Sequence, residues 1–160
     1  NMIDWDLTSK LATIAAAVLI VPQIAVAVYS IYQTNKRDRM KTTLDYYEKI
    51  NQEIKREKRE IKEKYGPTLT KEISHQIHNE RIDTSKVNKI LNSYERLSLG
   101  ANLGVYDINV LSKISGKLLI ENYDRFREYI EYRRELKKSH TAWIEFEKLI
   151  LELKRLRGES

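Results

Sequence analysis

The chain has 160 residues, no cysteine and a formal net charge of +6, from 29 Lys and Arg against 23 Asp and Glu. The length suits one domain, and the lack of cysteine excludes disulfides, thiolate zinc sites and a cysteine nucleophile. Only five glycines and two prolines occur, which favours helices over strands.

The first predicted element is a transmembrane helix over residues 11–32, which contain no charged side chain. At 1.5 Å per residue the segment spans about 33 Å, close to the hydrocarbon thickness of a bilayer. The basic segment KRDRMK follows it. The positive-inside rule therefore places residues 1–10 outside a bacterial inner membrane and the remainder in the cytosol. A cleaved signal peptide is the alternative, since Ala-Val-Ala at 25–27 resembles a cleavage site, but the acidic flank and the long apolar run argue against it.

A polar stripe runs along this span, because its members recur at alternating spacings of three and four residues and so share one helix face. The members predicted to face a pore or another copy are Thr13, Ala16, Ile20, Gln23, Ala27 and Ser30. A glutamine near the midplane is costly against lipid and usually faces protein or water. Since one span offers Gln23 no partner, we expect a homo-oligomer, with four copies as the working number. A tolerated Gln in a plain anchor is the alternative.

Two residues of the span bear on how such a pore closes. Pro22 removes a backbone donor and permits a kink. Ile20 is the one bulky apolar member of the polar stripe, and it therefore predicts a hydrophobic constriction that gates by dewetting.

A long juxtamembrane helix is predicted over residues 33–65, which lack Gly and Pro and pair Glu with Lys or Arg at i, i+4. The span can continue straight into this helix, and Gly66-Pro67 ends it. Its apolar positions at helical spacing are Met40, Leu44, Tyr47, Ile54, Ile61 and Tyr65.

Residues 68–157 predict a small cytosolic helical bundle, which makes the whole fold all-α. Helices are expected to start near Thr84 or Ser85, after Gly116, and at Ser139 or Thr141, while Gly104 suits a helix end and Asp107 a cap. The residues expected to face the core are Val87, Ile90, Leu91, Tyr94, Leu97, Ala101, Val110, Leu111, Leu119, Tyr123, Phe126, Ile130, Trp143, Phe146, Ile150 and Leu153.

The run YDRFREYIEYRRELKK is the best candidate for binding a ligand. Its cations are Arg125, Arg127, Arg133, Arg134, Lys137 and Lys138. Arginines bind phosphates and tyrosines stack on bases, which points to a nucleotide or oligonucleotide. The glutamates at pairing distance favour the alternative, a solvated helix surface laced with ion pairs.

Neither an enzyme, a metal site nor a cofactor is predicted. The chain has no phosphate-binding glycine loop and no HExxH motif. His75 and His78 follow Glu72 at helical spacing, but three such residues without a further ligand are better read as solvated side chains. Glu95 is expected to be structural, accepting hydrogen bonds from the loop between Gly104 and Asp107.

The segment LNSYERLSLGANLGVYD, residues 91–107, resembles the central signature of a bacterial family of unknown function. Its members have an N-terminal hydrophobic helix followed by a helical cytosolic domain. The matching positions are Asn92, Tyr94, Glu95, Gly100, Gly104, Tyr106 and Asp107. A Trp143-x-x-Phe146-Glu147 motif also fits, so the resemblance covers about residues 85–150, and it supplies no catalytic residues.

The layout is also similar to membrane effectors of bacterial anti-phage systems, such as the Hailong type, in which a nucleotide-derived ligand controls a pore. The resulting hypothesis is an oligomeric, channel-like effector whose N-terminal helices line a pore and whose bundle senses a ligand or partner. The alternative is a membrane-tethered interaction module whose helix serves only as an anchor.

Overall fold

The structure is a computed structural model that describes residues 5–159, with side chains described for residues 22–159. Over this range it consists of five helices without a strand, which confirms the predicted all-α fold. The helices are α1 (Trp5–Tyr65), α2 (Lys71–Asn79), α3 (Arg81–Asn102), α4 (Ile108–Lys137) and α5 (Ile144–Arg157). The chain divides into two compact units, Asn1–Asp38 and Arg39–Ser160.

Helix α1 is continuous over 61 residues and contains Pro22. It ends at Tyr65, where the sequence predicted a stop, because Gly66 takes a left-handed φ of +82° that breaks the helix. Within the described part of the chain, no helix carries a stretch both long and apolar enough to cross a membrane. Half of the predicted span, residues 11–21, lies outside the residues whose side chains are described.

The second half of α1 packs on the bundle through Ile50, Ile54 and Ile61, which are almost completely buried. Met40 and Leu44, which the spacing predicted to face inward, are instead 38% and 43% exposed. Thr43 takes the inward position in this part of α1.

The start of α3 differs from the sequence prediction because an expected cap binds elsewhere. Helix α3 begins at Arg81 and not near Thr84 or Ser85, since the Thr84 hydroxyl donates to the Ile77 carbonyl at 2.7 Å. Helix α2 precedes it, in a segment for which the sequence predicted no helix start, and Thr70 caps α2 by accepting from the amide of Ile73.

Helix α4 runs without a break through Gly116, where the sequence predicted a new start. The glycine is used for close packing, because a Cβ there would lie 3.1 Å from the side chain of Arg157 on α5. Asp107 caps α4 as predicted, accepting from the amides of Asn109 and Val110.

Helices α3, α4 and α5 surround one hydrophobic core together with the second half of α1. The predicted inward faces are confirmed almost throughout, and the rings of Tyr94 and Phe146 stack at 5.0 Å in the centre. Trp143 and Val110 are only half-buried. The fully buried predicted positions are Val87, Ile90, Leu91, Leu97, Leu111, Phe126, Ile130, Phe146 and Leu153.

Candidate functional site

The six cations of the predicted ligand site lie near the C-terminal end of α4, but they do not form one face. Arg127 and Lys138 are exposed. Arg125 is half-buried, and its Nη2 donates to the Gly66 carbonyl at 3.0 Å. Arg125 therefore fastens the turn that follows α1 to α4.

Arg134 also has a structural role. Its Nε donates to the Ala142 carbonyl at 2.9 Å, and its Nη1 lies 2.8 Å from Oε2 of Glu147. These contacts hold the loop between α4 and α5 against the end of α4. Two of the six cations, Arg133 and Lys137, line the same cavity.

Arg133 is 9% exposed, and its guanidinium Nη1 lies 2.9 Å from Nδ1 of His78. Burial, together with the positive charge of Arg133, lowers the pKa of His78. The neutral imidazole can then accept the guanidinium proton at neutral pH. The Nε of Arg133 is buried and has no hydrogen-bond partner among the described residues.

The cavity has a volume of about 310 Å³ and opens between α3, the end of α4 and the loop before α5. That volume is at the lower end of the range for small-molecule sites. Its lining residues are Asn88, Asn92, Glu95, Arg133, Lys137, Ala142 and Trp143.

Trp143 forms one wall of the cavity in an unusual backbone conformation, with a left-handed φ of +54°. Its indole Nε1 donates to Oδ1 of Asn92 at 2.9 Å, and its ring lies 6.2 Å from that of Tyr129. The Tyr129 hydroxyl donates in turn to Oδ1 of Asn88. A left-handed backbone at a residue other than glycine costs free energy, and such residues are found preferentially at binding sites and switch regions. The contacts of the Trp143 ring therefore hold this residue in a conformation that is unfavourable by itself.

The carboxylate of Glu95 is the one acidic group of the cavity, and α5 already uses it. Its two oxygens accept from the amides of Glu145 and Phe146, at 3.2 and 2.8 Å. Glu95 therefore caps the N-terminus of α5, whose partial positive charge offsets the carboxylate. The prediction that Glu95 binds the loop between Gly104 and Asp107 is wrong.

These side chains suit binding better than catalysis. Two cations, an indole ring and two amides can hold an anion beside a flat ring. Catalysis by acyl transfer needs a nucleophile beside a base, and the lining residues provide no such pair. In the part of the chain that the structure describes, no group of three or more His, Asp or Glu side chains is placed to hold a metal ion.

The described members of the polar stripe are Gln23, Ala27 and Ser30, and all three are exposed on α1. The other predicted members, Thr13, Ala16 and Ile20, lie outside the residues whose side chains are described. The side chains around Gln23 are mainly apolar and also exposed, at 56% for Ile24.

Sequence reasoning missed Asn88 and Ala142, and gave Asn92 and Trp143 no binding role. Asn92 and Trp143 belong to the two motifs on which the family resemblance rests. The presence of both residues in these motifs was the signal that could have identified them. A single sequence does not show, however, that two residues 51 positions apart are in contact.

A family model described as "Domain of unknown function (DUF4760)" matches residues 17–153. No curated protein matches the chain, and no solved structure does.

Proposed function

The chain belongs to the DUF4760 family, and we propose that it is an oligomeric single-pass membrane protein whose N-terminal helices form a pore. In this proposal the helical bundle controls the pore by binding a nucleotide or oligonucleotide on the cytosolic side of the bacterial inner membrane. The role that fits such a protein is a membrane effector of anti-phage defence.

The observation that carries the proposal is the exposed apolar surface of α1 before residue 33. Ile24, Val26, Val28 and Ile31 are each more than half exposed. At 100° per residue Ile24, Val28 and Ile31 share one face of the helix, and Val26 lies on the opposite side. Apolar side chains exposed on two opposite sides of a helix need to be covered, by lipid or by protein. Together with the uncharged residues that precede it, this surface supports insertion into a bilayer.

The polar stripe supports assembly, because Gln23 is exposed on α1, and a polar side chain of this kind in a membrane usually faces protein or water. A hydrogen bond between helices from such a side chain contributes about 0.6 to 2 kcal/mol in a membrane. A ring of copies would supply that partner, or would let Gln23 line a water-filled path. A closed ring is the expected symmetry, with four copies as the working number.

Native mass spectrometry of the chain released from nanodiscs tests the assembly. We expect a single oligomer of more than two copies, and a lower fraction of it for Gln23→Leu. Val26→Leu is the matched control, because it changes an exposed apolar side chain of the same helix and should leave the oligomer unchanged. A monomer for the parent chain would contradict the pore and leave the membrane tether as the function.

The cavity supports the ligand part of the proposal. Arg133 and Lys137 both line it and supply two positive charges. A phosphate at neutral pH carries between one and two negative charges, which these two cations can balance. The Trp143 ring provides the flat surface that a base needs.

Fluorescence anisotropy of a labelled single-stranded oligonucleotide of mixed sequence tests this site over a range of salt concentrations. We expect binding to weaken as salt rises, and Lys137→Gln to reduce the salt slope by about one phosphate contact. Arg127→Gln is the control, because Arg127 is a cation of the same helix that does not line the cavity. Equal binding by both variants and the parent would show that the cavity is not the site.

A further inference from the structure

The turn between α3 and α4 presents bulky apolar side chains to solvent. Leu103 is 72% exposed, Val105 is 54% exposed and Leu99, on the last turns of α3, is 45% exposed. We call these three residues the turn patch. A monomeric protein can leave single apolar side chains exposed, but a cluster at the tip of a turn indicates a surface that something covers.

The turn that carries this patch is tightly ordered. The amides of Val105 and Tyr106 both donate to the Gly100 carbonyl, at 2.8 and 3.1 Å. Gly104 takes a left-handed φ of +76°, and its amide donates to the Ala101 carbonyl at 3.0 Å. The exposed side chains are therefore held in fixed positions by a hydrogen-bonded backbone, which lowers the entropy that binding costs.

Three contacts fasten the turn to the part of α1 that begins at Arg39. The amide of Asp107 donates to the Thr43 hydroxyl at 2.8 Å, and its carboxylate accepts from Arg39 at 3.3 Å. The ring of Tyr106 stacks on that of Tyr46, with centroids 4.8 Å apart. The turn thus lies beside residues 39–46 and not beside the far end of the bundle.

Charge and sequence position identify what covers the patch. Only residues 33–38 separate Arg39 from the end of the predicted span at Tyr32, and a chain of that length reaches at most about 25 Å even when fully extended. The same stretch of chain is basic, with Lys36, Arg37 and Lys41 all exposed. Anionic lipid headgroups attract such a segment.

We infer that the turn patch rests on the headgroup region of an anionic bilayer, with Leu103 and Val105 inserted at the boundary between headgroups and acyl chains. The inference rests on the proposed membrane span. The basic residues then contact the lipid phosphates while the two apolar side chains leave water, as in other surface-seated elements. The bilayer becomes a second point of contact for the bundle, in addition to the helix that anchors it.

Fluorescence quenching in nanodiscs tests this contact, and the absence of native cysteine allows single labels. The nitrobenzoxadiazole fluorophore is placed on Leu103→Cys in the full chain, and the lipids carry a nitroxide on the headgroup. Ile82→Cys is the matched control, because Ile82 is 71% exposed at the opposite end of α3. Ile24→Cys reports whether the predicted span is inserted.

We expect the label at position 103 to be quenched by roughly twofold in nanodiscs rich in phosphatidylglycerol, since such elements sit 5 to 10 Å deep. The label at position 82 should be unaffected. Quenching at position 103 should fall in neutral phosphatidylcholine, and when Val105→Asp is added. A blue-shifted emission at position 103 without lipid quenching would instead identify a second copy as the occupant and overturn the inference.

The control at position 24 separates the two proposals. If the label at position 24 is protected from a water-soluble quencher and that at position 103 is not quenched by the lipids, the turn proposal fails and the span stands. If the label at position 24 is open to the aqueous quencher, the proposed function fails, and the turn proposal fails with it.

Discussion

At the scale of single residues, Glu95 shows how one side chain can fix the position of a whole helix. It lies on α3, yet its carboxylate accepts the first two free amides of α5. Those amides have no partner inside their own helix. A cap of this kind contributes about 1 to 2 kcal/mol.

The first prediction follows from this cap. Glu95→Ala should lower the free energy of unfolding by about 1 to 2 kcal/mol, and Glu95→Gln by less, because the amide oxygen still accepts one bond. Arg96→Ala is the control, since the neighbouring side chain is exposed and its loss should change stability by no more than about 0.5 kcal/mol. Chemical denaturation measures all three, and equal stability of Glu95→Ala and Arg96→Ala would refute the cap.

The second prediction concerns acid stability and rests on Asp83, which is 3% exposed. Burial raises the pKa of Asp83, but hydrogen bonds from Lys64 and Tyr65, each at 2.6 Å, outweigh it and hold the pKa at about 2. Because the pKa in the folded state is below the unfolded value of 3.8, the stabilisation is complete above about pH 5 and is lost as the pH falls toward 2. It amounts to about 2 kcal/mol.

Asp83→Asn should therefore flatten the fall in stability between pH 5 and pH 2, while lowering stability at neutral pH. The control is Asp124→Asn, which removes an exposed carboxylate of α4. Denaturation curves across this pH range provide the measurement. An unchanged pH profile for Asp83→Asn would mean that this ion pair does not form.

Local patterns predicted the residues whose partners are close in sequence. Asp107 was recognisable as a cap because the amides it accepts lie two and three residues later. The partners of Glu95 lie 50 and 51 residues away, and no local pattern specifies such a pair. The sequence therefore indicated that Glu95 was structural but assigned it the wrong loop.

At the scale of elements, a glycine near the end of α3 leaves room for a ring that contacts α1. A Cβ on Gly100 would overlap the ring of Tyr106, which stacks on Tyr46. Gly116 on α4 is different, because its nearest neighbour is the flexible side chain of Arg157, 3.1 Å from a Cβ at that position. The two helical glycines thus provide a matched pair.

The third prediction is that Gly100→Ala destabilises the chain by about 1 kcal/mol net, since overpacking costs about 1 to 3 kcal/mol and helix propensity returns up to about 1. Gly116→Ala should be neutral or stabilising by up to about 1 kcal/mol, because Arg157 can move aside. Thermal unfolding of both variants is the measurement. The same change for both would show that Tyr106 does not occupy the space above Gly100.

Helix boundaries were harder to predict than helix faces, because they depend on contacts with residues on other helices. The apolar faces of α3 to α5 follow from spacing alone, and the core uses them as expected. Thr84 has the chemistry of a cap, but it donates to Ile77 on the preceding helix. Gly116 was expected to precede a new helix, but it lies inside α4, where it faces the flexible side chain of Arg157.

At the scale of the whole molecule, we propose two linked functions. The apolar part of α1 supports membrane insertion and assembly, and the cavity around Arg133 and Trp143 supports ligand binding. The cavity lies at the end of α4, whereas the contacts of Asp107 with α1 lie at its beginning. Helix α4 therefore has the cavity at one end and, at the other, the contacts of Asp107 with Arg39 and Thr43.

Membrane potential, measured with a voltage-sensitive dye in cells that express the chain at matched levels, tests the central claim most directly. A pore with a dry constriction at Ile20 and an amide at Gln23 predicts that Ile20→Ser depolarises the cells, because it wets the constriction. It predicts that Gln23→Leu conducts less than the parent, and that Val26→Leu behaves like the parent. Equal potentials for all four strains would contradict the pore and support a helix that only tethers the bundle.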